Sequence, residues 1–302
     1  MIFGIGLALC ASSHAQANVI IAESQPGTDA ATLAQAQSET SSTAVGPAIT
    51  RTRVSATAPQ KPTFDDDIND GKWHIQNDSY TWLPSIHGAA GIASNKVDMN
   101  VSAWDLVSNT TFGIQNLIEP QYKRVSIPID FMWLRLNVHE GIASVPDTTA
   151  NLKATISILT PKVAALIVDK PALKLYGTGG VRYWHLGFTE SLTQSFSTSP
   201  ELYQSADWVD FSLGGRGTMA LSPKVSFTVA GDGGMGGADV DYQFAGFLNY
   251  QVDKILKWEL KRRMFAQAGW RYMEMHYDFA NHQTLFRPGM NGFVFGFATR
   301  YK

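Results

Sequence analysis

Gly292 to Lys302 reads G-F-V-F-G-F-A-T-R-Y-K. Phe293, Phe295, Phe297 and Tyr301 share one parity; Val294, Gly296, Ala298 and Arg300 share the other. Period 2 makes this a β-strand with a large aromatic face and a small face that ends in a charge. Helical spacing would scatter the aromatics around the axis. In a soluble sandwich the large residues would face a core. Here the small face suits a narrow polar interior, and the aromatic face suits lipid.

The rest of the chain is consistent with a closed barrel. It has 302 residues, 44% hydrophobic, with a formal net charge of −2. No basic stripe is present, which excludes a nucleic-acid partner. Gly (26) and aromatics (11%) are abundant. Barrels use glycine where strands bend and aromatics at the membrane interfaces. Past the leader no apolar run reaches the roughly 18 residues of a transmembrane helix. A membrane location therefore requires a closed barrel, because an open sheet would leave backbone groups unpaired in lipid.

Ile2 to Leu9 is apolar and Ala15-Gln16-Ala17 has a small-x-small pattern, so residues 1–17 read as a signal peptide. The single cysteine, Cys10, lies within it, which leaves the mature chain without disulfide or thiol chemistry. Residues 18–76 are rich in Ala, Ser, Thr and Gln, and form a low-complexity periplasmic tail that cannot bury enough apolar surface to order. The barrel occupies 77–302.

About ten strands follow. The first, from Ser79 to Ile92, is expected to break at Pro84. A short helical pattern, Ala103 to Val107, is expected at the top of the barrel or in the lumen. Outward, toward lipid, fall Phe131, Trp133, Tyr183, Phe211, Phe227, Phe293, Phe295, Phe297 and Tyr301. Long and short connections alternate, with both ends of the barrel on the short-turn side, as in outer-membrane barrels.

Several ordered pieces carry a family resemblance. They are Trp82-Leu83-Pro84-Ser85-Ile86-His87-Gly88, Gly180-Val181-Arg182-Tyr183-Trp184, Asp207-Trp208-Val209-Asp210 with Gly214-Gly215-Arg216, Gly231 to Gly236, Gly269-Trp270-Arg271-Tyr272 and Gly296 to Tyr301. In these the chain resembles a proteobacterial outer-membrane β-barrel family of mostly uncharacterised function. It departs from the family pattern at Phe211, Met235 and the terminal Lys302. The resemblance implies a single closed antiparallel up-and-down barrel in the outer membrane. Outer-membrane lipid, lipopolysaccharide and the barrel assembly machinery would be its partners. It implies no reaction.

Inward positions collect both signs of charge: Glu119, Asp130, Asp210 and Asp232 against Arg182, Arg216, Arg271 and Arg300. In a narrow lumen these would pair, either packing the interior or forming a charged constriction. Gly231 to Gly237 lacks the ending of a phosphate loop. No His/Asp/Glu group has metal-ligand spacing, and no cofactor is implied. His87, His185, His276 and His282, with Ser85, Asp278 and Ser191, supply acid–base residue types, but no spacing selects a triad. The expected function is a structural or narrow-pore outer-membrane protein, not an enzyme. The alternatives are a barrel enzyme acting on lipid or peptide at the outer rim, and a soluble exported barrel that binds an apolar ligand.

Overall fold

The computed structural model describes residues 63, 64, 68, 70–92, 95–141, 148–194, 197–252, 262–279 and 284–301. The signal-peptide reading and most of the tail lie outside these residues. In chain order the elements are β1 (Trp73–Ile92), β2 (Asn95–Val101), α1 (Ala103–Ser108), β3 (Thr110–Tyr122), β4 (Val125–Ser126) and β5 (Ile129–Gly141). There follow β6 (Thr148–Lys170), β7 (Leu173–Gln194), β8 (Ser197–Thr198) and β9 (Leu202–Ser222). The chain closes with β10 (Val225–Gly236), β11 (Val240–Gln251), β12 (Arg262–Phe279) and β13 (Thr284–Tyr301).

These strands form one antiparallel barrel of ten staves, with β4 and β5 acting as a single interrupted stave. Pro128 lies in that interruption, where a residue without an N–H cannot extend the ladder. The quoted C-terminal strand, β13, closes the ring: Phe295 pairs with Thr81 of β1 on one side and with Ala268 of β12 on the other. Two-residue turns join the staves at one end: Lys123-Arg124, Pro171-Ala172 and Pro223-Lys224. Lys123 takes the positive φ (52°) that such a tight turn asks for.

β1 differs from expectation in two ways. It begins at Trp73, ahead of Ser79, and it runs through Pro84 without a break. The reason lies in its second edge. β1 pairs with β3 only over Trp73–Ser79, and with β2 only from Ile86 upward. Pro84 sits in the gap, where no neighbour needs its missing N–H. Next to it a side chain replaces the ladder: Gln115 Oε1 accepts from the Trp82 N–H at 2.8 Å. Helix α1 packs against β1 above this seam. Ser102 caps it by accepting from the Asp105 N–H at 3.1 Å, and Leu106 is its buried residue.

Glycine is required where the staves coil most tightly. A Cβ on Gly292 would lie 1.9 Å from the Leu83 carbonyl oxygen, and one on Gly269 would lie 2.1 Å from that of Gly246. No side chain fits there.

The pleat sorts the chain into two faces. Leu213 (76% exposed), Phe211 (71%), Phe293, Phe297 and Ile167 stand on the outer wall. Phe131, Trp133 and Phe227 share that face, half-buried against their neighbours, and Tyr183, Phe295 and Tyr301 are exposed on it. Tyr and Trp mark both ends of the wall. Trp73, Tyr122, Tyr250 and Tyr301 lie near the short turns, and Trp133, Tyr183, Tyr242 and Tyr272 toward the other end. Tyr242 and Tyr250 are separated by roughly 26 Å of strand, which at a barrel's usual tilt gives about 20 Å of height. That is most of the apolar band of roughly 25 Å expected of a barrel in a bilayer.

Candidate functional site: the barrel lumen

The inward residues form three layers, legible along β7 as Lys174 and Tyr176, then Arg182, then Trp184 and Leu186.

At the short-turn end is a vestibule of about 290 Å³. Amide and hydroxyl side chains line it, among them Gln76, Asn249, Thr228 and Gln267. Thr63, Phe64 and Ile68, ahead of β1, also line it. The Phe64 N–H donates to the Pro171 carbonyl at 2.9 Å, and Lys174 Nζ lies 5.0 Å from the Phe64 ring centre. Ile68 is buried with Ala164, Leu166 and Tyr176. His74 Nε2 and Asp70 Oδ1 are 2.9 Å apart at the rim. That hydrogen bond holds the Asp70 carboxyl below the usual carboxylate range.

Three ion-pair groups stand on the vestibule wall and across its roof. Arg216 donates through both terminal nitrogens to Glu119 at 2.5 and 2.6 Å, and Ser126 Oγ donates to the same carboxylate at 2.6 Å. The Arg216 guanidinium also lies over the Tyr176 ring at 4.6 Å. Arg271 donates to Asp130 at 3.1 Å and to Tyr80 Oη at 3.0 Å, with Trp82 under its guanidinium. Arg182 bridges Asp232 and Asp241, and Lys162 Nζ donates to Asp232 at 2.6 Å. Gln243 ties the second and third groups together, accepting from Arg271 and donating to Asp232. Each pair joins different strands, so the network cross-links the wall.

Asp210 and Arg300 stand apart from these pairs. Asp210 is fully buried, and accepts from Trp208 Nε1 at 3.0 Å and from the Ala238 N–H at 2.7 Å. Arg300 donates to Gln76 Oε1 at 2.6 Å and lies over the Phe265 ring. Lys162, Asp241 and Tyr80 belong to the network without having been named from the sequence. Lys162 was hidden because β6 is apolar on both faces. Asp241 sits at the very start of β11, beside a Gly-rich run.

Above the charges the lumen is apolar. Trp208 stacks on Trp184 (5.6 Å) and on Tyr277 (4.2 Å). Trp82, Met132, Leu134, Ile158, Met273 and Met275 fill the remaining section. None of these residues lines the vestibule, whose walls end at Tyr80, Asp130, Lys162, Asp232 and Arg271.

Comparison with protein-family models gives no match, and comparison with curated proteins gives none either. Among solved structures the chain is similar to the outer-membrane protease OmpT of Escherichia coli, at 9% identity and a TM-score of 0.39, covering 77% of this chain and 97% of that one. It is similar to the translocator domain of the autotransporter NalP of Neisseria meningitidis, at 14% identity and a TM-score of 0.33, covering 75% and 86%. It is also similar to the CymD monoaromatic hydrocarbon channel, at 8% identity and a TM-score of 0.32, covering 78% and 89%. At these identities the likeness concerns barrel architecture alone.

Proposed function

We propose that this chain is an exported outer-membrane β-barrel protein with a sealed, ion-paired lumen and a structural role. One observation carries the membrane reading. The exposed large apolar residues lie on one face of every stave, while charges such as Arg182 and Asp210 are buried on the other. That is the reverse of a soluble barrel, and in water a belt of this extent would drive association. Lipid and lipopolysaccharide are the partners that such a wall requires, and the assembly machinery is the route by which it would be inserted. The two layers above the vestibule support the sealed-lumen reading.

A charge on the outer wall tests the assignment. Val229 is exposed midway between the levels of Tyr250 and Tyr242, paired with Gly217 and Gly246. Val229→Arg is expected to destabilise the lipid-embedded barrel by about 2–4 kcal/mol. Urea titration in lipid, following the gel shift of the heat-modifiable folded form, reads this directly. Recovery of wild-type protein as a soluble periplasmic monomer, with Val229→Arg equally stable, would overturn the reading.

A further inference from the structure

One constellation lies outside the lumen. On the outer wall Trp133, Ser157, His185 and Asp207 stand side by side on four neighbouring strands, in direct register. His185 Nδ1 is 2.8 Å from Asp207 Oδ1, and Tyr183 Oη donates to the same carboxylate. With Nδ1 occupied, the free ring nitrogen is Nε2. It faces Gly187, where a Cβ would come within 3.4 Å of it. Glycine there leaves room for both Nε2 and the Tyr203 hydroxyl, which such a Cβ would also meet at 3.4 Å. Ser157 occupies the adjacent position, and directly paired residues hold their Cβ atoms roughly 4.5–5.5 Å apart. Its hydroxyl makes no hydrogen bond among the described residues.

Ser157 and His185 line one groove of about 370 Å³, together with Trp133, Arg135, Lys153 and Tyr203. The chemistry of its surroundings changes with height. Toward the loop end are Arg135, stacked on Trp133 at 4.9 Å, and Lys153, paired with Glu201 at 2.8 Å. Arg135 is exposed and has no carboxylate partner among the described residues. Toward mid-wall are exposed Leu159, Val163 and Val209. A cationic rim above an apolar wall, with a Ser-His-Asp row at the level of the interfacial Trp133 and Tyr183, fits a phosphate-bearing acyl ester lipid. Its head would lie against Arg135 and its chains against the wall.

From this geometry we propose that the row is an acyl-ester hydrolase site that acts on phospholipid from the outer wall. Ser157 Oγ attacks the ester carbonyl as its proton passes to His185 Nε2. The tetrahedral intermediate collapses, the C–O bond to the glycerol breaks, and the leaving alkoxide takes that proton. Water then attacks the acyl-Ser157 ester, again with His185 as base, and releases a fatty acid and the free hydroxyl. Asp207 is a positioning residue that holds Nδ1 and leaves Nε2 as the nitrogen that accepts the proton. Thr155, which pairs with Gly187, brings a second hydroxyl to the same space, either as an oxyanion donor or as a rival nucleophile.

The inference rests on the membrane reading, and its test separates the two. Refolded full-length protein, shown to be folded by heat modifiability, is incubated with a fluorophosphonate probe and mapped by mass spectrometry. In parallel it is assayed on mixed micelles of phosphatidylethanolamine and detergent for matched release of fatty acid and lysolipid. The adduct is expected on Ser157, and Ser157→Ala is expected to lose both adduct and release. Thr155→Ala should keep the adduct. His185→Asn should slow release at least about 100-fold. Asp207→Asn should lower kcat with KM held, and Asp207→Glu should recover part of it. A folded barrel that inserts in lipid yet carries no adduct on Ser157, or that releases fatty acid equally well as Ser157→Ala, overturns this site and leaves the membrane assignment standing. A soluble protein fails both.

Discussion

Replacing Arg182 with methionine is expected to lower the stability of the folded barrel by about 3–5 kcal/mol, because it strands buried Asp241 and leaves Asp232 with Lys162 alone. Arg182 is fully buried and bridges Asp232 on β10 to Asp241 on β11 from its own place on β7. Without it, Lys162 is the cation left in contact with Asp232, and Asp241 has no counter-ion among the described residues. Adding Asp241→Asn to the variant should restore part of the loss, since the stranded charge is then neutral. Urea unfolding in lipid, with wild type, both single variants and the double variant, measures this coupling. A loss under about 1 kcal/mol for Arg182→Met would mean that water reaches the pair and screens it.

Trp208→Ala is the second large effect. The indole is buried between Trp184 and Tyr277, and its Nε1 donates to buried Asp210. Truncation leaves a void and takes one donor from a carboxylate that, among the described residues, then keeps only the Ala238 N–H. Large-to-small changes at buried tryptophan cost about 3–5 kcal/mol, and the lost hydrogen bond adds to this. Trp208→Phe keeps most of the stack and should lose less than half as much in the same titration. Equal losses for the two variants would show that the hydrogen bond to Asp210, and not the stack, dominates this layer.

The fold was legible because the barrel writes itself in period 2. On β13 large and small residues alternate without exception from Phe293 to Ala298, so the outer and inner faces follow by inspection. Parity fails where both faces are apolar. On β6, Ile156, Ile158 and Leu166 point inward while Leu159, Val163 and Ile167 point outward, and Lys162 carries no pattern of its own. That ambiguity has a physical source: the upper lumen is a packed apolar layer, so its inward residues resemble the lipid-facing ones. Pro84 misled for a different reason. Proline is excluded from strands that are paired on both edges, and the sequence does not reveal that β1 has a gap on one edge. The Ser157, His185 and Asp207 row was illegible for a third reason. Its members come from three strands and meet through register, which sequence spacing does not encode.

The central claim, that ion pairs and the tryptophan layer close the lumen, is tested most directly by single-channel recording in planar bilayers. The same refolded preparation, shown by co-flotation with liposomes to insert, should give no steady open level in symmetrical salt. A stable conductance of porin size from that wild-type protein would contradict the account, because it would require a water-filled path through Arg182, Trp184 and Trp208.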